Sequence, residues 1–150
     1  MSTDPYYSDL KISHRDFNWR TSDREVVDLE LKGSGDLDTI SGRANLAQAI
    51  INRLLTRKGE LTALGHPDYG SRLHTLIGEL NNIKIRAKAE IYIRECLSQE
   101  KRIAKIVRIQ ITPPANPGQY GDLMAEIIIQ PADGKEGQNM TIILPIKTGN

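Results

Sequence analysis

The chain has 150 residues, of which 39% are hydrophobic and 26% charged, and its formal net charge is +1. This length predicts one domain, spanning residues 1–150, that buries roughly 68–70% of its unfolded surface. No apolar run approaches the roughly 18 residues of a membrane span, and the opening MSTDPYYSDLKIS lacks the features of a signal peptide. The near-neutral charge indicates no strongly acidic partner, and a single cysteine excludes an internal disulfide.

The N-terminal part of the chain predicts an arm followed by a hairpin. Residues 1–15 are polar with scattered tyrosines, which is typical of a flexible or surface-draped arm. Residues 16–20 can form a short strand, and residues 26–31 alternate apolar and polar side chains. The Gly-Ser-Gly turn at 33–35 then allows a return strand over residues 37–40.

An amphipathic helix is predicted next, with Ser41 as its N-cap and Gly59 as a left-handed C-cap. The apolar stripe consists of Leu46, Ala47, Ile50, Ile51, Leu54 and Leu55. The polar side consists of Gln48, Asn52, Arg53 and Arg57. This spacing is the 3.6-residue period of a helix with one face in a core.

Two further helices are predicted after the polar loop HPDYG. Ser71 can cap a short helix that carries Leu73, Leu76, Ile77 and Leu80. A longer helix over residues 82–98 has two apolar lines that we expect to form one wide buried face. The first line is Ile83, Ala87, Ile91 and Arg94, and the second is Ile85, Ala89, Ile93 and Cys96. Cys96 is interpreted as a small buried hydrophobe.

The period then changes to two, which predicts strands. Three inward sets follow: Val107, Ile109 and Ile111; Leu123, Ala125, Ile127 and Ile129; and Met140, Ile142, Leu144 and Ile146. The loops between them are PPANPGQYG and PADGKEG, and Pro145 indicates that the last strand lies at a sheet edge. The predicted fold class is α+β, with a helical middle segment packed on an antiparallel C-terminal β-meander and an N-terminal hairpin.

The sequence gives little support for a catalytic or metal-binding site. A glycosidase needs two facing carboxyl groups, and the candidates are Glu60, Asp68 and Glu79, of which Asp68 is in a turn sequence. His66, Asp68 and His74 fit no compact metal-binding spacing. Cys96 is predicted to be buried in mid-helix without a nearby histidine, which argues against a nucleophilic role. We therefore expect no catalytic residues, no metal and no cofactor.

Basic residues gather between residues 84 and 108, as in a nucleic-acid-binding module. They are Lys84, Arg86, Lys88, Arg94, Lys101, Arg102, Lys105 and Arg108. Glu90, Glu95 and Glu100 interrupt this run, and Tyr92 is its only aromatic residue. A solvated face or an ion-paired protein interface is the preferred interpretation, so no nucleic-acid partner is expected.

Three segments carry a resemblance to a known family. They are NLAQAIINRLLTRKGE at 45–60, HPDYGSRLHTLIGE at 66–79 and QEKRI at 99–103. In this order and spacing they resemble the sheath initiators, which are small baseplate wedge proteins of contractile phage tails and related injection systems, once labelled lysozyme-like. The resemblance covers roughly residues 36–111.

The resemblance implies a contact with the wedge proteins that build the baseplate ring. In the family a Glu-Pro-Arg triplet follows the long helix and meets their helical bundle. Glu100 and Arg102 match this triplet, and Lys101 replaces the proline. The implied wedge-binding residues are Glu100, Lys101 and Arg102. A local alternative remains open, in which Arg102 pairs with Glu100 or Glu95.

The resemblance also implies the function of a structural, non-enzymatic subunit that links the wedge to the first sheath ring. Sheath arms are expected to add strands to the last strand, so the implied sheath-binding residues are Met140, Thr141, Ile142, Ile143, Leu144, Ile146 and Lys147. Tube or hub proteins are further candidate partners, and several copies are expected in a symmetric ring. No membrane partner is expected.

The expected location is the baseplate of a virion tail or injection particle, assembled in the bacterial cytoplasm. The sequence leaves open whether the machine is a phage tail, an extracellular injection system or a type VI secretion apparatus. A residual peptidoglycan hydrolase is the alternative function, followed by a nucleic-acid-binding module.

Overall fold

The computed structural model describes residues 8–14, 27–29, 31–113, 123–133 and 138–148. The chain divides into two compact units, Met1–Ala49 and Ile50–Asn150. Helices and antiparallel sheets occur together, which confirms the predicted α+β class. The single domain over residues 1–150 stays a prediction. No helix within these described ranges is long and apolar enough to cross a bilayer.

Four short strands form two small sheets in the first unit. Strand β1 (Asp9–Leu10) pairs antiparallel with β4 (Thr39–Ile40), and β2 (Ile12–His14) pairs with β3 (Val27–Leu29). The predicted hairpin turn is closed by an antiparallel bridge between Leu31 and Leu37. The predicted arm therefore contributes two strands, while residues 1–7 and the strand expected at 16–20 lie outside the described residues.

The Gln48 side chain corrects the predicted polar face of the first helix. Gln48 is only 7% exposed. Its amide nitrogen donates to the carbonyl of Leu10, and its amide oxygen accepts from the N–H of Ile12, both at 2.9 Å. An amide carries both a donor and an acceptor, so it can satisfy a passing backbone segment in a buried position. A pattern that counts glutamine as polar places it in solvent.

Helix α1 (Gly42–Leu55) begins directly after Ser41, as predicted. The predicted stripe is confirmed in a narrower form. Leu46, Ile50 and Leu54 are buried, whereas Ala47, Ile51 and Leu55 are half-buried. Gly59 has the left-handed φ expected of it (+87°), but α1 ends four residues earlier, so its assignment as the C-cap was wrong. It belongs instead to a turn in which the Glu60 N–H donates to the Arg57 carbonyl.

Helix α2 (Ile83–Leu97) is N-capped by Asn82, whose side-chain oxygen accepts a hydrogen bond from the N–H of Ile85 at 3.0 Å. The second predicted apolar line is buried, namely Ile85, Ala89, Ile93 and Cys96, together with Leu97. The first line is exposed, so the expected single wide face was wrong. Residues two positions apart point about 200° apart around a helix, and two such lines cannot face one core.

The short helix predicted after Ser71 is a 3-10 helix over Leu73–Leu76. Leu73 and Leu76 are buried as expected, but Ile77 and Leu80 lie beyond its end and are exposed. A preceding 3-10 helix spans Thr62–Leu64 and ends at Gly65.

A three-stranded antiparallel sheet closes the second unit. Strand β6 (Leu123–Pro131) lies between β5 (Ile103–Thr112) and β7 (Met140–Ile146). The inward set of β6 is fully buried, and Ile142, Leu144 and Ile146 of β7 are buried as well, whereas Met140 is half-buried. The position of β7 at one edge confirms the expectation drawn from Pro145.

Strand β5 departs from simple alternation. The pairing with β6 shifts register between Ile103 and Lys105 and again between Ile106 and Arg108, which places an extra residue in β5 at each point. The second shift turns Val107 outward, where it is 44% exposed, and leaves Ile106 opposite the buried Ile129. The prediction that Val107 points inward was therefore wrong, because a bulge reverses the face of the residues before it.

Candidate functional site

The HPDYGS loop contacts the C-terminal end of α1, and its Ser71 forms hydrogen bonds there. The hydroxyl of Ser71 donates to the carbonyl of Leu54 at 2.5 Å. The Ser71 N–H donates to the carbonyl of Thr56 at 2.8 Å, and its own carbonyl accepts from the N–H of Lys58 at 2.9 Å. Carbonyls at the end of a helix otherwise lack partners within it, so this residue completes the helix end.

A buried carboxylate occupies the corner between α2 and β5. Glu100 is only 8% exposed. The Arg102 guanidinium donates to it through Nε at 2.8 Å and Nη2 at 3.2 Å, and the Arg102 N–H approaches the same carboxylate at 3.3 Å. Arg53 Nη2 lies 3.6 Å from it. Lys101, between the two paired residues, is exposed. Arg102 therefore pairs with Glu100, which is one of the two local pairs that the sequence left open.

Glu95 takes no part in this corner. Its carboxylate accepts from Lys58 Nζ at 2.9 Å and is paired with Arg72. The Arg72 guanidinium also lies over the Tyr92 ring, 4.9 Å from its centroid. The alternative pair between Arg102 and Glu95 is thus replaced by a separate surface network.

Tyr69 joins the corner to the HPDYGS loop. The Arg53 guanidinium lies 4.4 Å from the centroid of the Tyr69 ring, within the range of a cation–π contact. Burial raises the pKa of the Tyr69 hydroxyl, and the charge of Arg53 partly opposes this rise. Each of the three resembling segments contributes to this cluster: Arg53 from the first, Tyr69 from the second, and Glu100 with Arg102 from the third. We call these four residues the corner cluster.

The pKa of Glu100 makes the corner cluster sensitive to acid. Burial alone raises this pKa, but the hydrogen bonds and charge of Arg102, with the charge of Arg53, outweigh it and leave the pKa below its ordinary value of 4.5. A lowered pKa in the folded state stabilises the fold above pH 4.5, and this contribution disappears as the pH falls through the folded-state pKa.

We therefore expect wild-type protein to lose more unfolding free energy below about pH 4.5 than the Glu100→Gln variant loses. Urea titrations of both proteins between about pH 6 and pH 3 measure this difference. All other carboxylates are present in both proteins, so their contribution to the pH dependence cancels in the comparison. Equal pH dependence of the two proteins would show that Glu100 has no lowered pKa.

The hydrogen-bond register of the sheet defines which backbone groups of β7 face away from β6, on the edge where no other described strand pairs. The Ala132 N–H donates to the Arg102 carbonyl at 2.8 Å, just beyond the ends of β6 and β5. Backbone groups alternate sides along a strand, so even-numbered residues of β6 direct theirs toward β5 and odd-numbered ones toward β7. The Thr112 hydroxyl, which donates to the Met124 carbonyl at 3.4 Å, agrees with this assignment.

Every second residue of β7 therefore directs its backbone groups away from β6. Opposite the odd-numbered residues of β6 lie Met140, Ile142, Leu144 and Ile146, which form the ladder. Thr141, Ile143 and Pro145 lie opposite even-numbered residues, so their backbone groups face the open edge. Pro145 has only a carbonyl there, since proline has no N–H. The Ile143 side chain is 62% exposed, and Thr141 and Lys147 are exposed too.

The carboxylates proposed for hydrolysis have structural roles or are solvated. Glu60 accepts the N–H of Arg57 at 3.1 Å in the turn after α1. Asp68 and Glu79 are exposed. His74 Nδ1 lies 3.2 Å from the Ser71 carbonyl, and His66 is exposed. Across the described residues, no group of three or more metal-ligating side chains converges.

Cys96 is buried on α2, and its Sγ lies 3.8 Å from the Arg53 carbonyl. Burial raises the pKa of this thiol to about 11. At neutral pH the group is therefore a protonated thiol, which is a weak nucleophile.

The sequence comparison decides the family. A family-wide sequence model described as the contractile injection system sheath initiator matches residues 15–119. The chain belongs to this family. The chain is accordingly a tail baseplate component with a role in the sheath of a contractile injection system. This confirms the resemblance carried by the three segments, all of which lie within the matched range.

A solved structure shows the same fold as this sheath initiator. It is a Geobacter sulfurreducens protein, described as a candidate tail lysozyme, that shares 18% sequence identity at a TM-score of 0.59. The match covers 82% of the sheath initiator and 98% of the other chain. At this identity the likeness concerns the fold alone. No curated protein matches the sheath initiator in sequence.

Proposed function

We propose that this sheath initiator links a baseplate wedge to the first sheath ring and starts the sheath by strand addition, without enzymatic activity. The observation that carries the proposal is the edge of β7, where Thr141 and Ile143 direct N–H and carbonyl groups outward. An incoming strand gains main-chain hydrogen bonds from such an edge, and the exposed Ile143 side chain can add specificity.

The two edges of the sheet are not equivalent. Strand β5 carries bulges at both of its register shifts, whereas the pairing of β6 with β7 runs without a shift from Leu123–Ile146 to Ile129–Met140. Bulges twist an edge away from further pairing. The regular edge of β7 is therefore the better acceptor of a sheath strand.

We propose a wedge contact at Glu100, Lys101 and Arg102 in which the exposed Lys101 meets the partner, while the buried Glu100 and its ion pair with Arg102 hold the corner. The family resemblance implies a proline at the position of Lys101, which would fix the corner. Here the bidentate contact of Arg102 with Glu100 and the nearby Arg102 N–H hold the corner instead. The exposed Lys101 ammonium is then presented at a defined place, where a charge on the wedge can orient the complex.

We expect Lys101→Glu to weaken co-purification with wedge proteins by about tenfold or more at low salt, without lowering the melting temperature. The side chain is exposed, so reversing its charge leaves the core intact. Lys32→Glu, the same change at an exposed turn in the first unit, is the matched control and should bind normally. Equal binding of both variants would remove Lys101 from the wedge contact.

The function as a whole is tested by assembling baseplates without this chain and then adding purified protein. We expect sheaths to form only after the addition. The same preparation should not hydrolyse peptidoglycan in a zymogram. Hydrolysis that Glu60→Gln or Asp68→Asn abolishes, with sheaths forming without the chain, would favour the hydrolase alternative.

A further inference from the structure

The outer face of α2 carries an apolar stripe that remains exposed and outside the core formed by the described residues of the second unit. Ile83 and Ile91 are 78% and 60% exposed, and the exposed Ala87 lies between them at four-residue spacing. Leu80, just before the helix, is exposed as well. Isolated exposed hydrophobic residues are ordinary, but a contiguous stripe of this kind marks an interaction surface.

The charges beside the stripe are uneven. Lys84 and Lys88 lie along one side, one turn apart and both exposed. Neither ammonium group has a carboxylate partner among the described residues, whereas Arg94 near the stripe is paired with Glu90 at 3.0 Å. On the opposite side Arg86 lies one turn before Glu90, so that side carries charges of both signs. The side of Lys84 and Lys88 is the more positive, because Glu95 further along it is already paired with Lys58 and Arg72.

We propose that this outer face of α2 binds an amphipathic helix of another protein, with acidic residues flanking its apolar stripe. Side chains spaced four apart form a ridge, and the small Ala87 between two isoleucines leaves room for a second helix to approach closely. The acidic flank of that helix then lies beside Lys84 and Lys88. The proposal is independent of any strand added to β7.

A protein helix fits this face better than an anionic surface does. Glu90 lies at the margin of the exposed arc and is only partly covered. A broad phospholipid surface or nucleic-acid backbone would meet this carboxylate as well as the lysines, whereas a helix can confine its acidic residues to the side of Lys84 and Lys88. The isoleucines have no use in phosphate binding, whereas they match an apolar helix stripe.

The test uses a fluorescent, side-chain-stapled helical peptide with leucines at four-residue spacing flanked by glutamates. A matched peptide carries lysines in place of the glutamates. Stapling is needed because short free helices are marginal in water. In fluorescence anisotropy, the full-length protein should bind the acidic peptide at least tenfold more tightly than the basic one. The double variant Lys84→Glu/Lys88→Glu should reverse this preference.

Two variants test the stripe itself. Ile91→Glu should weaken binding of the acidic peptide by at least tenfold, and Ile83→Glu should do the same. In Ile83→Glu the new carboxylate is in the first helical turn, where negative charge favours the helix, so the fold is retained. Leu64→Glu, at an exposed leucine of the 3-10 helix Thr62–Leu64, is the matched control and should bind as wild type does.

Several results would overturn the proposal. Equal affinity for both peptides, unchanged binding by both stripe variants, or a preference for anionic vesicles or DNA would do so. Thiol labelling of Ile91→Cys tests whether the chain covers its own face, since the buried Cys96 contributes little background. Slow labelling in a monomer would identify the chain itself as the occupant. A dimer that Ile91→Glu dissociates would identify a second copy.

Discussion

Replacing Ile143 by proline is expected to abolish sheath initiation while the chain stays folded and bound to the wedge. The N–H of Ile143 faces away from β6, so the substitution removes a donor that no backbone hydrogen bond among the described residues uses. Proline is tolerated at edge positions of this kind. Pro145 already lacks a donor two residues away, so the change leaves Thr141 as the outward donor within β7. Electron microscopy of assembled particles should show baseplates without sheaths.

Three further variants separate the backbone from the side chain. Ile143→Ala keeps the donor and should still start sheaths, whereas Pro145→Ala adds one and should start them at least as well. Ile142→Pro removes a donor that faces β6 opposite Ile127 and should unfold the sheet. Sheaths of normal number and length on baseplates carrying Ile143→Pro would exclude strand addition at this edge.

Gly70→Ala is expected to cause a large loss of stability. Gly70 has a φ of +100°, and an added Cβ would lie 2.6 Å from the Thr56 carbonyl oxygen and 2.8 Å from the Arg57 carbonyl carbon. These are backbone atoms, and the Ser71 N–H holds the Thr56 carbonyl in place. Backbone strain of about 1–3 kcal/mol and overpacking of about 1–3 kcal/mol together predict a loss of roughly 2–6 kcal/mol in urea unfolding.

Gly65→Ala is the matched control for that loss. Gly65 has a similar φ of +84°, but an added Cβ there meets no atom within 4 Å. Only the strain contribution of about 1–3 kcal/mol then applies. If the two variants unfold at the same urea concentration, the close approach of Gly70 to the end of α1 contributes nothing.

The sequence was most informative where one period governed a whole element. The inward residues of β6 were all predicted, because a central strand without bulges keeps its alternation. The prediction failed at Val107, where a single extra residue in β5 changes the face. It also failed for Gln48, whose buried position depends on strands more than thirty residues earlier in the chain. No local pattern contains either kind of information.

The two candidate surfaces were also predictable from the sequence only in part. Pro145 alone sufficed to place β7 at an edge, but which donors face outward required the pairing register. Glu100 and Arg102 were predicted as a site from the family resemblance. The contribution of Arg53 and Tyr69 to the same cluster was missed, because it arises from segments distant in sequence. Their presence in the two other resembling segments was the available signal.

Pro145 has a further consequence for how tightly one copy can hold a sheath arm. Within the described strand β7, the outward N–H groups are those of Thr141 and Ile143. Together with the outward carbonyls of Thr141, Ile143 and Pro145 they allow up to five hydrogen bonds to one arm. A typical hydrogen bond contributes about 0.5–1.5 kcal/mol net, whereas association costs roughly 4–15 kcal/mol, so one short edge retains a strand only briefly. In the symmetric ring that the family resemblance leads us to expect, several copies would instead capture linked arms through avidity. Initiation would then depend on a completed ring, which would protect against premature polymerisation on isolated subunits.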